Sequence, residues 1–271
     1  MRQKMLFAVL MSVLCSTLFV PRAHAFFEED TKIGNRKVST VHYHLTRALA
    51  RCVGFDATQA ETLAGWNQVV DSMSLELPTL GRIEQNFSVR MGPNDPFFHW
   101  ARPIDLTVMK RWVQGKGELF ECLNTPCTRR RPINTGLESL SMEAFGVYLH
   151  SVGDHHSHSD CIHAGYREHT DAAPQCPLDS HHHEFGPEAA NRTYVGIKAM
   201  LEELIWWAGQ QNVFSRVNPA LMEDTLINFV TEASFEDAAI RVQLATDLYD
   251  RCAAADERGD ITLPTNQVSP R

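Results

Sequence analysis

Apolar residues in this chain recur at spacings of three and four, and that period rules out most folds at once. Val38, Val41, Leu45, Ala48, Leu49 and Cys52 line one stripe; Ile197, Met200, Leu201, Leu204, Ile205 and Ala208 line a second, cleaner one. This is the repeat of one face of an α-helix, whereas a half-buried strand would alternate residue by residue. Alternating stretches of useful length are scarce. Gly54 closes the first helix, and Thr58-Gln59-Ala60-Glu61 reads as a capping box for a second that runs to about Met73. A weaker third is predicted from Ile104 toward Phe120, shortened if Gly115 and Gly117 end it. Leu137, Leu140, Ala144, Val147, Tyr148 and Val152 mark a fourth. Phe235, Ala238, Ala239, Val242, Ala245, Tyr249 and Cys252 mark the last long one. The expected fold is therefore all-α, one multi-helix domain over residues 26–258 with a polar tail over 259–271.

The long apolar run at the N-terminus belongs to a different kind of signal. Arg2 and Lys4 precede the run Met5 to Val20, and Ala23-His24-Ala25 places small residues at −3 and −1. A basic start, a short apolar core and an A-x-A site describe a secretory signal peptide over residues 1–25, which predicts a periplasmic or secreted protein with no membrane span after processing. Cleavage removes three basic residues, Arg2, Lys4 and Arg22, and no acidic one, so a formal net charge of −8 becomes more negative still. Such a chain is a poor partner for nucleic acid through its overall field, and no stable nucleic-acid complex is expected. Of seven cysteines, all but Cys15 survive cleavage. An even number in an exported protein suggests disulfides. Proximity favours Cys122 with Cys127 and Cys161 with Cys176, leaving Cys52 and Cys252 by elimination.

The chemistry is concentrated in histidine. The chain holds 13, most of them between His150 and His183, in a stretch from Gly153 to Pro187 also rich in Cys, Asp and Pro. It reads as an ordered, disulfide-tied loop. In Leu149-His150-Ser151-Val152-Gly153-Asp154-His155-His156-Ser157-His158, the residues His150, Asp154 and His158 stand at i, i+4 and i+8. A helix continued through Gly153 puts all three on one face. Imidazole nitrogen and carboxylate oxygen are the donors that zinc and similar divalent ions take. One helix cannot complete a metal cluster, so further ligands must come from elsewhere. His42 lies on the edge of the first apolar stripe, where an inward imidazole needs a metal or a buried hydrogen bond. Asp71 ends the second helix, and His99 sits in the aromatic segment Pro96-Phe97-Phe98-His99-Trp100.

Taken in order, His42, Asp71, His99, His150-x3-Asp154 and His158, followed by another histidine, resemble the zinc-dependent phospholipase C and P1-type nuclease superfamily. Tyr43, Leu45, Thr46 and Leu49 through Gly54-Phe55 are similar to uncharacterised bacterial members of that group. The resemblance implies an exported all-α scaffold holding two or three zinc ions and hydrolysing a phosphate ester, either a phospholipid head group or a nucleotide. It further implies that His42 and Asp71 serve one pair of sites, that Asp154 bridges two metals, and that His99, His150 and His158 complete the ligand set. Asp71 and Asp154 would then be the catalytic carboxylates. Two family features are absent. The family ligates through its mature N-terminal residue, whereas Phe26 lies sixteen residues ahead of His42. The family's closing His-x3-Glu is also missing. His183 is the nearest stand-in, with His163, His181 and His182 as the alternatives.

Other chemistries are excluded by motif. His183-Glu184 is followed by Phe185, Gly186 and Pro187, which denies the His-Glu-x-x-His helix of a zincin. No His-Asp dipeptide, nucleophile elbow or P-loop occurs, and the cysteines lack paired C-x-x-C spacing. One alternative keeps the ligands without the chemistry, a non-catalytic periplasmic zinc-binding or structural protein on the same scaffold; another is an exported pH-responsive interaction protein whose histidines work without metal.

Overall fold

A computed structural model describes residues 31–84, 97–159, 162, 187–213, 219–231, 233–234 and 237–257. The expected signal peptide, the expected polar tail, the expected Cys161–Cys176 pairing, and His163, His181, His182 and His183 lie outside the described residues.

The chain is mostly helical, as the apolar spacing predicts. Among the described residues the helices are α1 (Thr46–Cys52), α2 (Ala57–Ser72), α3 (Pro103–Val113), α4 (Met142–Ser157), α5 (Pro187–Gln210), α6 (Pro219–Phe229) and α7 (Ala238–Glu257). Three short antiparallel hairpins join them: β1 (Thr31–Ile33) with β2 (Arg36–Val38), β3 (Ser74–Leu77) with β4 (Gly81–Glu84), and β5 (Phe120–Cys122) with β6 (Arg130–Pro132). Strands this short carry too few residues for an alternating pattern to stand out.

Several boundaries differ from the sequence reading, each for a local reason. The first stripe does not form one α-helix. Its opening segment, Thr40–Leu45, is a π-helical turn capped by Ser39, whose Oγ accepts from the amides of Val41 and His42 at 3.0 and 2.9 Å. The second helix starts one residue before Thr58, because Asp56 is its cap: the Asp56 carboxylate accepts from Gln59 N at 2.8 Å, and Gln59 Oε1 accepts from Asp56 N at 3.0 Å. The fourth begins at Met142, because Leu140 adopts a left-handed backbone (φ 68°) and Ser141 caps the helix through Ala144 N. Helix α6 has no counterpart in the sequence reading.

Helix α4 is the centre of the molecule. Residues on every side of it are buried, from Ala144 and Phe145 to His150, Gly153 and Asp154, as befits a helix surrounded by others. It packs on α2, α3 and α5, while α7 packs on α1 and the π-helical turn. Gly146 is what lets α2 approach so closely. A Cβ there would lie 2.7 Å from the Trp66 Cβ and 2.8 Å from the Leu63 carbonyl oxygen. The main core gathers Leu45, Leu49, Leu63, Phe97, Phe145, Leu204 and Trp207 among others. A smaller one holds Val38, Tyr43, Ala64, Leu75 and Leu77 beneath the β3–β4 hairpin.

Two disulfides are present among the described residues. Cys122–Cys127 closes the β5–β6 hairpin, and Cys52–Cys252 ties α1 to α7 across a separation of 200 residues. No described helix is long and apolar enough to cross a membrane.

Candidate metal centre

Five residues from four separate stretches of chain meet in the interior. The π-helical turn contributes His42, the last turn of α2 contributes Asp71, the aromatic turn after residue 96 contributes His99, and α4 contributes His150 and Asp154. One helical turn separates His150 from Asp154, so both side chains leave α4 on the same face. The close α2–α4 contact at Gly146 brings Asp71 to that face. His99 is carried in by Phe97, Phe98 and Trp100, all buried, so burial of the aromatic rings positions the imidazole.

The donor atoms crowd together. His150 Nε2 lies 3.1 Å from His99 Nδ1, 3.1 Å from Asp154 Oδ2 and 3.5 Å from Asp71 Oδ1. His99 Nδ1 lies 3.1 Å from Asp154 Oδ2 and 3.5 Å from Asp71 Oδ1. On the other carboxylate oxygen, Asp154 Oδ1 lies 3.2 Å from His42 Nε2. Two overlapping groups of potential ligands result, His42/His150/Asp154 and Asp71/His99/His150. The two groups share His150, but a single imidazole lone pair serves one ion. Asp154 is different, because its two oxygens face different imidazoles.

These spacings suit a cation. Zinc in a tetrahedral site holds nitrogen and oxygen at about 2.0–2.1 Å, which sets donor-to-donor edges of roughly 3.3–3.4 Å. His99 Nδ1 and His150 Nε2 lie 3.1 Å from each other and from Asp154 Oδ2, and 3.5 Å from Asp71 Oδ1, edges of that order. His42, His99, His150 and Asp154 have no solvent exposure, and the Asp71 side chain retains 5%. Buried carboxylates gathered among imidazoles are electrostatically costly until positive charge joins them.

The protonation states agree. Burial pushes the His150 imidazole down to about 4; Asp154 opposes this, while His42 and His99 reinforce it. The ring is therefore neutral, with a lone pair to give, at neutral pH. Burial works to raise the Asp154 carboxyl, but adjacent His150 and hydrogen bonds from His150, His42 and His99 outweigh it and hold it well below the usual carboxylate range. A neutral imidazole beside an ionised carboxylate is the donor state a metal requires.

The surrounding hydrogen bonds add residues that the sequence reading missed. His42 Nδ1 contacts Asn67 Oδ1 at 2.8 Å, and Asn67 Nδ2 donates to Thr46 Oγ1 at 3.1 Å. Gln68 Nε2 donates to Asp71 Oδ2 at 3.3 Å, while Gln68 Oε1 accepts from Ser39 N at 2.6 Å. The signal available in the sequence was the polar pair Asn67-Gln68 set directly before Val69-Val70, with Asn67 one turn before Asp71.

The structure thus brings together five of the seven expected ligands: His42, Asp71, His99, His150 and Asp154. His158 is buried but belongs to neither donor group. It follows the last residue of α4 as its C-cap and stacks on Trp100 at 4.6 Å between ring centroids. His183 lies outside the described residues. His44, beside His42 in sequence, sits apart with Nε2 3.2 Å from Thr31 Oγ1; burial, and then Arg47, lowers it to about 4. Neither a protein-family model, nor a curated protein, nor a solved structure matches the chain.

Proposed function

We propose that this protein is an exported, zinc-dependent hydrolase of phosphate esters, built on a scaffold of the phospholipase C and P1-type nuclease kind. The observation that carries the reading is the nest of two carboxylates and three imidazoles, each with a donor atom 3.1 to 3.5 Å from at least one other. The order of these ligands along a mostly helical chain supports the family. The disulfides and the N-terminal signal pattern support an oxidising, exported setting.

Asp71, His99 and His150 would hold one ion, and His42 with Asp154 would provide donors to a second. When bound, divalent ions supply Lewis-acid charge for phosphoryl oxygens and acidify water toward neutral pH. The protein's own part is positional. Asp154 fixes the two donor groups relative to each other. Asp71 is the ligand residue with residual exposure, 5% of its side chain although its Oδ1 is buried, so a phospholipid head group or nucleotide phosphate would arrive on its side. Its Oδ2, steadied by Gln68, orients an incoming water by accepting its proton in a hydrogen bond. The local positive charge would also let an anionic ester approach an acidic protein.

Burial favours a second reading, a structural metal centre without turnover, since four of the five donor residues have no exposure at all. The experiment that separates them uses the full chain purified without a histidine tag. Metals per chain are counted first, and phosphodiester and phosphomonoester hydrolysis is then measured with and without a chelator. Two or three zinc ions with chelator-sensitive turnover, abolished in Asp154→Asn, is the expected result. Zinc without turnover on either ester selects the structural centre. A chain that binds no divalent ion ends both readings.

A further inference from the structure

We infer that Asn67 is a positioning residue that decides which ring nitrogen of His42 faces the carboxylate of Asp154, and that Thr46 decides which way Asn67 points.

The argument runs along a chain of single protons. Thr46 Oγ1 lies 3.0 Å from the Val41 carbonyl oxygen, which can only accept, so the one hydroxyl proton of Thr46 is given to Val41. Thr46 Oγ1 is then an acceptor toward Asn67, 3.1 Å away, and only the amide nitrogen of Asn67 can donate to it. Rotating the amide would set two oxygens against each other with no proton between them. Asn67 Oδ1 is thereby committed to the other side, where His42 Nδ1 stands at 2.8 Å. An oxygen that only accepts requires a proton on Nδ1. Nε2 is then the nitrogen turned toward Asp154 Oδ1, 3.2 Å away, and the one a bound cation would take. All four residues of the chain, Val41, His42, Thr46 and Asn67, are fully buried, so water does not scramble the arrangement.

Two stretches far apart in sequence are needed for this. The π-helical turn and α1 supply Val41, His42 and Thr46, while α2 supplies Asn67 one turn before Asp71. Outer hydrogen bonds of this kind fix the tautomer and the ring plane of a ligating histidine, and removing one typically weakens metal binding roughly 10–100-fold. The effect on the metal rests on the metal-centre reading above. The tautomer of His42 does not, which allows the two to be tested apart.

The test labels the full chain with 15N-histidine and reads the ring nitrogens of the metal-free protein at pH 8 by long-range 15N–1H correlation, with His42→Gln to assign the signal. A proton on Nδ1 of His42 is expected; a ring protonated at Nε2 alone overturns the inference. Asn67→Leu is expected to release the tautomer preference and to lower zinc affinity by about 10–100-fold. Thr46→Val, close in shape, should leave the fold intact while letting the Asn67 amide turn and mixing the two tautomers. Unchanged His42 signals in both Asn67→Leu and Thr46→Val would also overturn it. If the unaltered protein binds no zinc, the metal-centre reading fails, while the ring-nitrogen measurement still decides the role of Asn67.

Discussion

His150 Nε2 and Asp154 Oδ2 lie 3.1 Å apart, one turn from each other on a helix buried on every side. The helix supplies that pairing by its own geometry, before any tertiary contact forms. What it does not supply is the opposing face, where His42, Asp71 and His99 close the nest. If the nest binds zinc, removing its most connected carboxylate should be the most damaging single change. Asp154→Asn keeps the shape but loses the charge and one acceptor oxygen. Zinc affinity measured by competition with a chromophoric chelator should fall by at least about 100-fold, beyond the range usual for outer-sphere partners. Affinity within threefold of the unaltered protein would remove Asp154 from the ligand set.

Gly146 makes a purely structural prediction. A methyl group at this position meets backbone at the Leu63 carbonyl, 2.8 Å away, so the conflict cannot be relieved by turning a side chain. Gly146→Ala should destabilise the fold by roughly 1–3 kcal/mol despite the better helix propensity of alanine. It should also weaken metal binding, because the same contact seats Asn67 and Asp71 against α4. Urea denaturation of the metal-free protein measures the first effect. A stabilised variant would show that the helices are not held at this distance.

Acid should loosen the metal-free protein in a defined window. The His150 imidazole is pushed down to about 4 by burial from an ordinary value of 6.5. Between those two values the unfolded chain carries the proton and the folded one does not, so stability rises with pH. Full stability is reached above about pH 6.5, and roughly 3 kcal/mol is lost by pH 4. Asp154, held well below the usual carboxylate range, adds to the loss at still lower pH. Denaturation midpoints between pH 4 and 7.5, compared with His150→Gln, check this. Identical slopes in the two proteins would refute the assignment to His150.

The two disulfides should differ sharply in worth. Cys52–Cys252 closes a span of 200 residues and Cys122–Cys127 a span of 5. Loop-closure entropy puts the first at about 5 kcal/mol and the second at about 2 kcal/mol. Replacing both cysteines of a pair with alanine and measuring thermal unfolding should rank them in that order. If the nest binds zinc, the Cys122/Cys127 double variant should keep that affinity, since the hairpin belongs to neither donor group.

Much of this protein can be read from the order of its residues alone. Helical period, the pairing of His150 with Asp154, and the two described disulfides depend on spacing and on elimination, and these are properties of a linear chain. Five donors could be named for the same reason: imidazoles and carboxylates are conspicuous wherever they stand. The hydrogen-bond relay through Thr46 and Asn67 was invisible, because an asparagine within a helix looks like any other polar residue until its neighbours in space are known. The fate of His158 was equally hidden. Whether it joined the nest depended on where α4 ended, and a helix ends where capping and packing stop it rather than where its pattern runs out. Above all, the α2–α4 distance set by Gly146 is a property of two helices and not of one. Sequence named the donors, and only the packing of α4 against its neighbours decided which of them meet.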